Sequence, residues 1–284
     1  MANSLTVYRN YADSGTLSSG TWSSTLPLSN LADRQLSKTA RSQSLSTTAT
    51  QFDLDFGSIE TVKFVGALRH NLTQDGQWRI RLSTASDFAT TEHDTGWQDI
   101  WPSIIPFGVG LWGEYYWGGK VDPAEASTYG IAAYEVIASP VRVRYMRIEL
   151  DDAANPDGYL EAGRLIVAPA WEPTINLQYN WSLEQVDESR IVRSRGGQAY
   201  VDSKPKFRRL KFTLSDLQRD EMLGNAYELE RLKGKGGDVL IMVDPDDAQH
   251  IHRQTVYGHL ADTSAITNPY STRFSKEFTI EELI

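Results

Sequence analysis

The chain predicts a mainly β protein in two parts: a closed β-sandwich or jelly roll over residues 1–170, followed by an α+β domain over residues 171–284. Three observations point there. From Pro140 to Leu150, from Gln51 to Gly57 and again from Thr61 to Val65, apolar and polar residues alternate with period two. That is the pattern of a strand with one face in a core and one in water. Up to Ala168 these strands follow one another through turn formers, with no regular helical stretch between them. Beyond a seam at 169–175, where Pro169 and Pro173 flank Trp171, the order becomes strand, helix, strand.

Residues 1–50 are rich in Ser and Thr. Asp13-Ser14-Gly15 and Ser19-Gly20 form turns, and Ser29 to Leu36 suits one short helical turn capped by Ser29 or Asn30. Strands are expected at Ala40–Ser46, Ala49–Phe56, Thr61–Leu68, Trp78–Ser83, Thr95–Trp97, Ala133–Ile137, Val141–Leu150 and Tyr159–Ala168. Gln74-Asp75-Gly76 and Asn155-Pro156-Asp157-Gly158 supply turns between them. In the second part, Asn176–Ser189 opens as a strand and Ser194–Gly197 turns the chain. Phe207–Leu214 alternates as a strand, and Ser215 is a good cap for a helix running to about Lys233, stopped by Gly234, Gly236 and Gly237. Asp238–Val243, nearly all apolar, suits a central strand, with Gln254–Leu260 and Arg273–Ile280 closing the sheet.

Composition removes several classes of function. The 284 residues carry a net charge of −9. Residues 1–170 contribute −6 from 13 basic and 19 acidic side chains, and the remainder −3 from 15 and 18. Neither half offers the basic surface that a nucleic-acid backbone or an anionic membrane needs. With no cysteine there are no disulfides, thiolate metal sites or thiol nucleophiles. Met1 to Leu5 lacks the basic-then-apolar pattern of a signal peptide, and the uncharged tract Ile100–Trp112 holds two Pro and two Gly and would not span a bilayer.

No catalytic constellation stands out, and no enzyme, metal or cofactor is expected. His250 and His252, two apart, would share a strand face and could meet one metal, but no His-Glu-x-x-His occurs. Asp244-Pro245-Asp246-Asp247 lacks the glycine and distal glutamate of a calcium loop, so this stretch reads as an acidic loop with surface histidines. Asp53 with Asp55, and Glu149 with Asp151, share strand faces. They read as solvent-side residues rather than a glycosidase pair. There is no Gly-x-Ser-x-Gly elbow, and Lys233-Gly234-Lys235-Gly236-Gly237 follows a helix where a phosphate loop would precede one.

Two tracts remain. From Arg190 to Lys211 the chain holds Arg190, Arg193, Arg195, Lys204, Lys206, Arg208, Arg209 and Lys211 against Asp202 alone, +7 in an acidic protein. Such a run suits a subunit interface against an acidic partner, with the tail residues Glu277, Glu281 and Glu282 as one complement in a homo-oligomer; a solvated hairpin is the plain alternative. Between positions 97 and 117 lie Trp97, Trp101, Phe107, Trp112, Tyr115, Tyr116 and Trp117, interleaved with glycines. Trp101, Trp112, Tyr115, Tyr116 and Trp117 could pack at an interface, bury under a long loop, or present a platform to a sugar.

Three pieces of the first part, Ser29-Asn30-Leu31-Ala32-Asp33 through Thr39-Ala40-Arg41-Ser42, Phe52-Asp53-Leu54-Asp55-Phe56-Gly57 and Val143-Arg144-Tyr145-Met146-Arg147-Ile148, resemble the discoidin-like, or galactose-binding-like, β-sandwich over about residues 15–168. That resemblance implies a jelly-roll sandwich, in a family many of whose members bind glycans. The whole chain also looks like the tail-tip proteins of long-tailed bacteriophages, because Phe207–Leu214, a helix, Asp238–Val243 and Phe274 to Glu282 follow the layout of a tail-tube-like unit. This second resemblance implies a structural virion protein of the tail tip or baseplate, akin to a distal tail protein. It would be assembled in the host cytoplasm as a ring, hexameric in the family, that joins tail tube to tip proteins, with the α+β domain as inner wall. The alternative is a carbohydrate-binding module or host-glycan adhesin, and a glycan hydrolase is a third class.

Overall fold

The computed structural model describes residues 3–101 and 132–284. Among them the strands are β1 (Leu5–Val7), β2 (Thr16–Ser18), β3 (Ala40–Arg41), β4 (Phe52–Leu68), β5 (Gln77–Ser83), β6 (His93–Asp94), β7 (Gln98–Asp99), β8 (Ala132–Asp151), β9 (Glu161–Ala162), β10 (Arg164–Ala168), β11 (Ser182–Val186), β12 (Arg190–Arg193), β13 (Ala199–Asp202), β14 (Phe207–Leu217), β15 (Asp238–Met242), β16 (Thr255–Leu260), β17 (Thr267–Tyr270) and β18 (Arg273–Glu282). They fall into two compact units. One comprises Arg9–Ala170 with Pro245–Arg253, the other Met1–Tyr8, Trp171–Asp244 and Gln254–Ile284. The fold is thus a β-sandwich plus an α+β unit, and the chain enters and leaves each unit more than once.

The sandwich unit is built on an antiparallel sheet of order β10-β4-β8-β5-β6, with β2 also on β4 and β7 on β5. A thinner second layer covers its inner face: the β3–β9 pair, one turn of α-helix at Thr47–Thr50 and 3-10 turns at Tyr11–Asp13 and Leu28–Ala32. The core between them includes Leu31, Ala40, Leu54, Trp78, Ile80, Met146, Ile148 and Leu160. The paired expectations at 49–56 and 61–68, and at 133–137 and 141–150, prove to be two long strands. Each runs through a bulge rather than a turn. The β4–β8 register shifts between Asp55 and Glu60 and again between Val62 and Phe64. Gly57 sits at the first irregularity with φ +80°, a conformation open to glycine at no steric cost. Pro140 lies within the second, where a missing N–H interrupts no ladder bond. Thr47–Thr50 is helical where a strand was expected to begin, and Thr50 instead donates its hydroxyl to the Leu150 carbonyl at 2.6 Å.

The α+β unit carries a sheet of order β1-β15-β16-β18-β14-β11, with β17 on β18 and a separate β12–β13 hairpin. β1 pairs with β15, and Thr6 and Trp171 exchange two backbone hydrogen bonds of 2.8 Å. β15 is buried at every position, as its apolar run predicts. The helical segment 219–233 lays Met222, Ala226 and Leu229 onto the sheet, four and three residues apart on one face. The expected cap at Ser215 is not used. Ser215 and Asp216 remain in β14, Asp216 at φ +58°, so that Leu217 can turn inward and bury completely. Burial of Leu217 outweighs the local capping preference. Gly234 ends the helical segment at φ +49°. At Gly258 β16 comes so close to β18 that any side chain would collide with the Glu281 carbonyl oxygen.

Candidate functional site

The basic run does not form one surface. Arg190 and Arg193 stand on the β12–β13 hairpin, whose eight residues are all exposed, with Ile191 facing Val201 and Val192 facing Tyr200 across it. Arg195 lies in the hairpin's turn and Lys204 just beyond it, both exposed, Lys206 lies 3.6 Å from Asp187, and Lys211 is exposed on β14. Arg208 and Arg209 meet the acidic tail within their own chain. Arg208 Nε donates to Glu282 Oε2 at 2.9 Å, and Arg209 Nε to Glu281 Oε1 at 2.8 Å with a further bond to Glu184 at 3.1 Å. The complement expected from a ring neighbour is therefore supplied by β18, because the β14–β18 register sets Arg209 opposite Glu281.

Of the aromatic tract, Trp112, Tyr115, Tyr116 and Trp117 lie outside the described residues. Trp101 is buried, and its indole N–H donates to the Leu72 carbonyl at 3.0 Å, so it offers no face to a sugar or a partner. It belongs to an inner cluster with His70 (ring centroids 5.8 Å apart) and His252 (6.0 Å), which in turn lies 6.2 Å from Tyr134. His252 therefore does not share a strand face with His250; Ile251–Gln254 is a helical turn. His70 is buried with neither ring nitrogen hydrogen-bonded, and desolvation, followed by the nearby His252, holds its pKa down to about 3. Among the described residues no group of three or more His, Asp or Glu side chains could hold a metal ion.

Three of the four strand-face carboxylates, all but Asp151, are engaged by arginine. Asp53 accepts from Arg147 at 2.6 and 2.8 Å, Asp55 from Arg144 at 3.0 and 3.1 Å, and Glu149 from Arg81 at 2.9 Å. The Arg144 hydrogen bonds hold Asp55 below the usual carboxylate range. So held, Asp55 is a poor proton donor near neutral pH.

A different constellation lies at the loops 69–76 and 152–161. Asp152 is buried and accepts from the Thr73 N–H at 2.7 Å and the Thr73 hydroxyl at 2.9 Å. Asn155 donates to Asp152 and to the Asn71 carbonyl, both at 2.9 Å. Asn71 then donates to Asp157 at 2.9 Å and to the Tyr159 carbonyl at 3.1 Å, and accepts from the Glu161 N–H at 2.7 Å. This network locks the two loops together. On it sit the functional groups: the Arg41 guanidinium lies over the Tyr159 ring, 3.9 Å from its centroid, and its Nε donates to Glu161. Arg41 keeps 38% of its side chain exposed and Glu161 19%. Strand pairing puts Arg41 opposite Glu161, so two residues 120 apart in sequence meet by register. The array presents a guanidinium, two carboxylates and an aromatic ring at a braced surface. That combination can bracket hydroxyl groups with donors and acceptors at little ordering cost. Asn155 to Gly158 was legible only as a turn, since Asn and Asp serve turns and networks alike.

No family model matches the chain, and no curated protein matches it. Solved structures do. A CBM32 module of a family 31 glycoside hydrolase from Clostridium perfringens matches with 18% identity over 57% of this chain and 98% of its own, at a TM-score of 0.35. A Streptococcus pneumoniae fucose binding module matches with 8% identity over 57% and 96%, at 0.37, and the lectin domain of lectinolysin, solved with Lewis B antigen, with 12% over 56% and 95%, at 0.36. The expectation of a tail-tip or baseplate protein is not borne out: the matching structures include carbohydrate-binding modules, a lectin domain and a glycoside hydrolase, and none of these is a tail component. The virion location, the ring and the tail-tube and baseplate partners are withdrawn with it.

Proposed function

We propose that this chain is a carbohydrate-binding protein, acting without chemistry, and that its sandwich unit takes a saccharide at the Arg41–Tyr159 face. The observation that carries this reading is the stacked Arg41 guanidinium, held on Tyr159 and paired to Glu161 above the Asn71–Asp152–Asn155 clamp. Saccharide recognition needs fixed, partly exposed hydrogen-bonding groups beside an apolar ring surface, and these groups meet that requirement. Glycan-array screening of the full chain, followed by calorimetry on the best ligand, tests it. Arg41→Ala and Tyr159→Ala should each weaken binding by about tenfold or more, the loss of roughly one charge-assisted hydrogen bond or one ring contact, with melting curves confirming that both variants fold. An array with no specific ligand, or full binding by both variants, would overturn the reading. Trp112→Ala and Trp117→Ala serve as controls for the aromatic tract.

A further inference from the structure

The α+β unit holds a cleft of about 670 Å³ between residues 218–223 and the turn that joins β17 to β18. Its walls carry two guanidiniums, Arg219 and Arg273, and among the described residues neither forms an ion pair with a carboxylate. Elsewhere among the described residues, arginines at 79, 81, 144, 147, 208, 209 and 231 pair with Asp or Glu, while Arg190, Arg193 and Arg195, on the exposed hairpin and its turn, do not. Two like charges on one cleft, neither ion-paired, repel each other unless an anion joins them. One of the two is also braced. Arg273 donates to the Asp216 carbonyl at 3.0 Å, and Asn268 ties the turn by donating to the Tyr270 and Arg273 carbonyls at 2.7 and 2.8 Å. Ser271 and Thr272, on that turn, line the same cleft. The remaining lining is apolar on one side, Phe274 and the exposed Leu223, and includes one carboxylate, Asp220.

We infer that this cleft is a binding site for a small organic anion, a carboxylate on a ring body. The carboxylate bridges Arg219 and Arg273, where guanidinium forks suit its geometry, and accepts from the turn hydroxyls. The ring packs on Phe274 and Leu223. A fully polar anion would waste that apolar wall, so inorganic phosphate should bind less well than a ring carboxylate. The inference is independent of the saccharide reading, since it concerns the other unit and other residues.

Titration calorimetry of the full chain at low ionic strength tests it with three probes: benzoate, glucuronate and inorganic phosphate. The expected result is saturable binding of benzoate, glucuronate or both at one site, at least about tenfold tighter than phosphate. Arg219→Gln and Arg273→Gln should each weaken it by about tenfold, and Asp220→Asn should strengthen it severalfold by removing a repelling charge. Preference for benzoate would assign the source as an aromatic acid, and preference for glucuronate as an acidic saccharide. Leu223→Asp, at an exposed position that leaves the fold intact, should reduce the tighter probe's affinity at least as much. No binding by either carboxylate, phosphate binding as tightly, or affinities unmoved by both arginine variants would overturn the site.

Discussion

Lys276 and Glu230 form an ion pair inside the α+β unit: Nζ lies 2.9 Å from Oε2, and the lysine side chain is only 1% exposed. β18 alternates Lys276, Phe278 and Ile280 toward the core, so register sends an ammonium where an apolar group would ordinarily go. It is satisfied there by Glu230, from the helical segment, and by the Ser264 carbonyl at 2.8 Å, while the Ser264 N–H holds the other Glu230 oxygen at 3.1 Å.

Breaking this pair from one side should cost more than removing it. Glu230→Gln leaves an ammonium buried without its counter-charge and is expected to lower stability by about 3 kcal/mol or more. Lys276→Met/Glu230→Gln, which removes both charges, should recover most of that loss. Urea unfolding of the three proteins checks this; a Glu230→Gln protein within about 0.5 kcal/mol of the parent would show that the pair is not the lock described.

His70 should make the sandwich unit acid-sensitive. Its pKa is held down to about 3 in the fold, from 6.5 for the free side chain, so the unfolded chain binds the extra proton first. The contribution is fully present above pH 6.5 and falls as pH drops from 6.5 toward 3, by up to about 1.4 kcal/mol per pH unit. Below about pH 3 it changes no further. His70→Leu should flatten this part of the stability profile. Melting temperatures from pH 7 to pH 4 that run parallel for parent and variant would refute it.

Arg208 and Arg209 should matter to folding through β18. Changing both to Glu sets them against Glu282 and Glu281 and is expected to destabilise the unit by several kcal/mol, on the scale of breaking partly buried ion pairs (about 3 kcal/mol or more). Adding Glu281→Arg and Glu282→Arg should restore much of the loss, because the register keeps the pairs opposed. Failure of the reversed set to recover any stability would remove the ion pairs as the cause.

Much of the scaffold was readable because period-two alternation reports burial directly: Leu54, Ile148 and Ile280 are buried where alternation puts them inside. The limits of elements were less readable. A bulge at Gly57 continues a strand that local signals divide, and inward-turning Leu217 overrides the cap at Ser215. The candidate site was least readable of all. Arg41 and Glu161 are 120 residues apart, Trp101 resembles its exposed-looking neighbours in composition yet is buried, and Arg219 and Arg273 sit in segments whose local pattern signals only a helix start and a strand.

The sequence by itself determined which residues alternate into cores, the absence of thiol chemistry and the acidic balance, all properties of single residues or short periods. Only the tertiary structure decided which charges neutralise one another. Arg208 and Arg209 look like an unpaired basic patch until β18 lies beside β14, whereas Arg219 and Arg273 line a cleft and form no ion pair with a carboxylate among the described residues. The physical reason is that pairing is a matter of distance, and distance between residues remote in sequence is set by register and packing rather than by composition.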